Sequence, residues 1–192
     1  MGYYKNVKKL DDEQEFLKSI IYNRYRSDSN YSKIKNNMEF IIFLSKLDKE
    51  ILNLLIKANY VVEENKIECL LNKEIKGLHN FVENKIIICT ENAKRKTNYK
   101  SKKKQPKKDN FKTELALRKA LRHEATHAIQ KCNNNKTVGD IKNLEGKLHQ
   151  SKRRSLEFST SNFSGTYAKE VEAYILEDKP KKVKKMIKKY CL

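Results

Sequence analysis

From Phe111 to Cys132 the chain runs without Gly or Pro, and Leu117, Leu121, Ala125 and Ala128 recur at helical spacing. An interior Gly or Pro would cost roughly 1 or 3 kcal/mol, so this stretch predicts one long helix around which the remaining, shorter elements must pack. Asn133-Asn134-Asn135 ends it, because Asn favours turns. At 192 residues the chain has the length of one domain. Charged residues make up 35% and apolar ones 38%, but the apolar residues fall in periodic segments, which argues for a folded chain rather than a disordered one. The apolar stretches are far shorter than the ~18 residues of a bilayer span. Met1 to Leu10 also lacks the apolar core of a signal peptide. Cys69, Cys89, Cys132 and Cys191 are scattered and form no C-x-x-C pair. Free thiols in a reducing, intracellular and cytoplasmic setting are therefore expected.

The pattern before the long helix divides in two. From Asp11 to Tyr60 apolar residues recur at helical spacing, with Phe16, Ile20 and Ile21, then Phe40, Phe43 and Leu44, then Ile51, Leu54 and Leu55. Two or three helices are predicted, and residues 1–60 read as a helical N-terminal extension. Beyond Tyr60, Val61-Val62 and Ile67 to Leu71 resemble a hairpin, and Lys85 to Thr90 is a β-branched strand. Gly77, His79, Asn80 and Asn84 supply turn chemistry between them. After the long helix, Leu144 to Leu148 reads as a short helix, Ser155 to Gly165 as loop, and Tyr167 to Glu177 as helix again. The expected class is α+β, with a small antiparallel or mixed sheet in residues 61–178.

The net charge of +19 is unevenly placed. Residues 94–112 hold ten Lys/Arg against one acid, and Lys179 to Lys189 hold seven against none, so the body outside a basic loop and a basic tail (179–192) is nearly neutral. Such segments suit the phosphates of a nucleic acid or another anionic surface. Lysine far outnumbers arginine, however, which is also what an AT-rich codon bias produces and is unlike the Arg forks of nucleic-acid readers.

Chemistry concentrates on the long helix, in Leu121-Arg-His123-Glu124-Ala-Thr-His127-Ala-Ile-Gln-Lys-Cys132. Residues four apart stand one turn above each other, so His123 and His127 can each direct a ring nitrogen at a single zinc ion. Glu124, about 100° further round, reaches a metal-bound water instead and can take its proton as general base. A hydrolytic zinc needs a third protein ligand. The metzincin continuation would place Gly at 130 and His at 133, where this chain has Gln130 and Asn133. His79, His149, Glu170 and Glu172 remain. Glu170 and Glu172 lie about 200° apart on one helix, so only one of them can face the ion. His149 sits in a polar stretch and reads as a surface histidine or a helper for the transition state.

Glu170-Val-Glu-Ala173 is similar to the E-x-x-A setting from which gluzincins draw their third ligand, which favours Glu170. Together, Ile67-Glu-Cys69, Lys85-Ile-Ile-Ile-Cys-Thr-Glu-Asn92, the H-E-x-x-H segment and Glu170 to Ala173 resemble the zincin metallopeptidases related to the mitochondrial inner-membrane ATP-synthase-processing peptidase. The resemblance spans Ile67 to Glu177. It implies a zincin-like domain in which His123, His127 and Glu170 bind Zn²⁺ and Glu124 acts as base. It also implies that the Lys85 to Thr90 strand runs along the cleft and that Cys89 and Cys132 lie near each other. The expected activity is zinc-dependent endopeptidase action on a protein or peptide substrate. The alternative is nucleic-acid binding through the basic loop and tail, or a protease tethered by them to nucleic acid or an anionic surface.

Overall fold

Ser45 starts a helix with a reciprocal cap: its side chain accepts from the Asp48 amide while the Asp48 carboxylate accepts from the Ser45 amide. A 3₁₀ helix at Glu39–Phe43 leads into this helix, α1 (Lys46–Lys57). There follow β1 (Val61–Glu64), α2 (Ile67–Leu71), β2 (Gly77–Asn80), β3 (Lys85–Ile88) and α3 (Thr90–Lys96). The chain then forms α4 (Phe111–Cys132), α5 (Gln150–Asn162), α6 (Tyr167–Leu176) and α7 (Pro180–Tyr190). The computed structural model describes residues 38–97, 110–139, 148–162 and 167–192. Readings that fall on 1–37, 98–109 and 144–147 lie outside the described residues: the first N-terminal helices, most of the basic loop, and most of the short helix at Leu144 to Leu148. Asparagines hold the left-handed turns, with φ of 61° at Asn59, 49° at Asn65 and Asn84, 54° at Asn134 and 60° at Asn135. Asn tolerates that conformation better than other residues with a Cβ.

The sheet is mixed and small. Its order is β1-β3-β2, with β1 parallel and β2 antiparallel to β3. The class is α+β, as expected, but the pairing differs from the hairpin read at Val61 to Leu71. Ile67–Leu71 is a helix that turns Cys69 inward against Ile75, Ile87 and Cys89, and β1 pairs with β3 instead. A five-residue apolar run carries too little periodicity to separate helix from strand. Gly77 to Asn80, read as turn, is the strand β2. β3 is the central strand, so β1 and β2 are the two edge strands of this sheet.

α4 spans the residues expected, and Leu117, Leu121, Ala125 and Ala128 are fully buried. It packs against α1, α6, α7, β2 and β3. Arg122 clamps this arrangement. Its Nε and Nη2 lie 2.6 and 2.9 Å from the two oxygens of the fully buried Asp48 on α1, and Nη1 donates to the Glu177 carbonyl at 3.0 Å. A buried carboxylate with both oxygens bonded to a guanidinium fork is strongly directional, so it fixes α1 and the end of α6 against α4.

Glu39 to Leu192 form one unit, so residues 39–60 pack with 61–178 rather than belonging to an extension that ends at 60. Phe40, Ile51 and Leu55 are fully buried there. Residues 155–162, read as loop, belong to α5, which buries Leu156 against Leu148 and Val171. The basic tail is also corrected. Val183, Met186 and Ile187 recur at i, i+3 and i+4, and their burial makes 180–190 an amphipathic helix packed on α1 and α4, with its lysines outward. The cysteines are bridged rather than free: Cys69 to Cys89 and Cys132 to Cys191, with Cα separations of 5.4 and 5.3 Å. Cys89 and Cys132 therefore take different partners, and the free-thiol argument for a reducing compartment falls away. Among the described residues no helix is long and apolar enough to cross a membrane.

Candidate metal centre

Two helices build the site. α4 presents His123 and His127 one turn apart, and α6 lies across it with Glu170 in its first turn. Ala173, three residues on, is fully buried. The Glu170 carboxylate faces both rings, with Oε2 3.4 Å from His123 Nε2 and Oε1 3.2 Å from His127 Nε2. One ligand atom from each of the three residues lies within 4.8 Å of the others. Donors bound tetrahedrally at zinc's usual bond lengths stand about 3.3 Å apart, so the spacing and the N,N,O donor set fit zinc.

The second nitrogen of each histidine is also held. His127 Nδ1 lies 2.9 Å from Gln130 Oε1. The Gln130 amide group donates to Glu172 Oε2 and to the Lys169 carbonyl, both at 3.0 Å. With its NH₂ committed to two acceptors, Gln130 offers only its oxygen to His127, so Nδ1 is the donor of this pair. His123 Nδ1 lies 3.6 Å from Glu177 Oε2, and its ring stands edge-on to Tyr174 with centroids 4.5 Å apart.

Electrostatics reinforce the geometry. Burial by itself would lower the His123 pKa, but Glu170 and Glu177 hold it well above the usual imidazole range. Burial works against ionised Glu170, and the two histidines overcome it, keeping the carboxyl far below the usual range. Glu177 is likewise held low against burial by His123 and Lys152. Burial pushes Glu124 up, against the pull of His123 and His127. A carboxylate that binds its proton more readily than usual suits a general base. Glu124 lines a cleft of about 1030 Å³ together with His123, His127, Glu170 and Tyr174.

The other ligand candidates have different places. Glu172 turns away from the cluster, and its carboxylate accepts the amides of Val138 and Gly139 as well as Gln130. It holds the chain that follows α4. His79 lies in the cleft wall between Tyr60 and Phe81, its ring centroid 6.4 Å from that of His127. Burial, helped by His127 and Lys131, brings its pKa down to about 3, so it is neutral. His149 is exposed at the start of α5 and does not line the cleft.

Gln130, Glu177, Tyr174 and Gly77 were not foreseen as site residues. Gln130 follows His127 by three residues and Glu177 follows Glu170 by seven, so helical spacing alone carried a signal for both. Gly77 offered none. Residues 40–192 match DUF8637, a domain of unknown function, and the chain belongs to that family. No curated protein and no solved structure matches the chain.

Proposed function

We propose that this protein is a zinc-dependent endopeptidase with a zincin-like domain. The observation that carries the reading is the convergence of His123, His127 and Glu170 from two helices, with the base Glu124 beside them in an open cleft. Zinc held by those three residues would polarise a peptide carbonyl and activate a water. Glu124 would take a proton from the attacking water and pass it to the departing amine, so that a peptide and water become a carboxylic acid and an amine. The edge strand β2 lines the same cleft through Gly77, Leu78 and His79, and its free side can pair with an extended substrate. β2 thus takes the role first expected of the Lys85 to Thr90 strand.

Metal analysis of the purified chain and cleavage of a denatured protein test the reading. Zinc near one equivalent and hydrolysis that falls ~100-fold or more in Glu124→Gln with zinc retained are expected. A chain that takes up no zinc, or a Glu124→Gln variant as active as the parent, overturns it.

A second reading has its own support in α7, whose outer face exposes Lys181, Lys182, Lys185, Lys188 and Lys189. That row suits phosphates of a nucleic acid or an anionic surface. DNA binding that weakens steeply with salt and is lost when these lysines become Gln is its signature.

A further inference from the structure

Beyond the metal cluster the cleft walls are strongly cationic. Lys76, Lys96, Lys119, Lys152, Arg154 and Lys169 line them, and the acids other than Glu124, Glu170 and Glu177 are represented by Glu74 alone among the described lining residues. Most of the inner lysines are already paired. Lys152 Nζ lies 2.9 Å from Glu177, Lys119 Nζ lies 2.8 Å from Asp178, and Lys96 bonds Glu74.

Lys76 is different. It is half-buried, and no carboxylate of the described residues lies within ion-pair reach of its ammonium. Burial and the neighbouring charges of Lys96 and Lys119 push its pKa down, although Glu177 and Glu74 nearby act in the opposite direction. Its backbone is fixed, because its carbonyl accepts from the Cys89 amide at 2.9 Å. The next residue, Gly77, touches Glu124, and Lys119 lies one turn before His123 on α4. The three lysines therefore lie near one another in the wall of the cleft that Glu124 also lines. Phe81 stands near His127, with Lys169 5.9 Å from its ring centroid.

We propose that Lys76, with Lys96 and Lys119 beside it, is a subsite for a carboxylate of the substrate, so that the cleft selects peptides bearing a negative charge on the side of the cut bond that meets these lysines. This rests on the peptidase reading for the bond but not for the binding. The carboxylate has two sources, an Asp or Glu side chain or the end of the peptide itself.

The test uses the zinc-loaded full chain and fluorescent peptide pairs. One series exchanges Asp for Asn at each of three positions on either side of a fixed bond, and the other compares a free C-terminus with its amide. Cleavage is followed with the parent chain and binding with Glu124→Gln. The acidic member should be bound and cleaved about tenfold better, at positions on one side, with a ratio that shrinks as salt rises. Lys76→Gln should bring that ratio near one and Lys76→Glu should invert it, while zinc content reports that the site is formed. Lys119→Gln, which should also lower the ratio, serves if the Lys76 variants do not fold. A preference confined to the free C-terminus supports the subsite and assigns the carboxylate to the chain end. Equal binding of acidic and neutral peptides, or a preference that survives Lys76→Glu, overturns it. Cleavage without preference removes the subsite and keeps the peptidase, whereas Lys76-dependent binding without cleavage of any peptide does the reverse.

Discussion

Gly77 of β2 stands against Glu124 of α4 so closely that a Cβ at position 77 would lie 2.7 Å from Oε1 and 2.8 Å from Cγ. Real Cβ contacts are not that short, so the strand and the Glu124 carboxylate can share this space only because residue 77 has no side chain. In Gly77→Ala the Glu124 side chain must shift, while the three ligands are untouched. Zinc content should survive and kcat should fall by roughly 10- to 100-fold, as expected when a general base is misplaced. Full activity in Gly77→Ala would show that the base tolerates displacement.

The two acidic residues of α6 separate by role. On the proposed reading Glu170→Gln weakens a ligand and should lower zinc affinity directly. Glu172→Ala leaves the backbone amides of Val138 and Gly139 without their acceptor and takes one of two acceptors from the Gln130 amide group. That should cost stability by about 1–3 kcal/mol per buried donor left unpaired, read as a lower melting temperature. Gln130→Ala and Glu177→Ala each remove the partner of one imidazole nitrogen and should weaken zinc binding by ~10- to 100-fold, measured by competition with a chelator. Zinc affinity lost in Glu172→Ala but kept in Glu170→Gln would exchange the two assignments.

The metal-free chain should have a characteristic pH profile. Glu170 and Glu177 have lowered pKa values. Their contribution is present above the unfolded value of about 4.3 and lost as pH falls through the folded ones. His123 has a raised pKa, so its contribution is full below the unfolded value of about 6.5 and lost as pH rises through the folded one. Glu124, also raised, adds to that loss because the folded state resists its ionisation. Stability in a chelator should therefore be highest between about pH 5 and 6.5 and decline toward pH 8.5. Denaturation in urea at those pH values checks this, and a metal-free chain equally stable at pH 6 and 8.5 contradicts it.

Removing residues 179–192 should unfold the protein rather than trim it. The deletion strips Val183, Met186 and Ile187 from the core and breaks Cys132–Cys191. Burial of such side chains is worth roughly 1.5–3 kcal/mol each, a large share of a total stability of about 5–15 kcal/mol. Loss of cooperative melting in the truncated chain is expected. A role for the lysines must instead be sought with Lys→Gln changes on the outer face of α7, which leave the helix packed.

The H-E-x-x-H segment and its helix were legible in the residues themselves, and the choice of Glu170 came from a resemblance. Helical periodicity is local: a spacing of four puts His123 and His127 on one face whatever surrounds them, and Glu170 and Glu172 differ by a fixed angle on theirs. Which of those glutamates meets the histidines depended on how α6 crosses α4, and that crossing depends on buried contacts far apart in the chain, such as Arg122 with Asp48 and with the Glu177 carbonyl. The same holds for the pairing of β1 with β3, for the bridges Cys69–Cys89 and Cys132–Cys191, and for the approach of Gly77 to Glu124. In each case residues distant along the chain meet, and no local pattern records the meeting. The lysines of α7 show this most plainly. Their charge dominates the composition of that segment, but three apolar residues on the inner face settle its place, because burial against α1 and α4 outweighs what the exposed side displays.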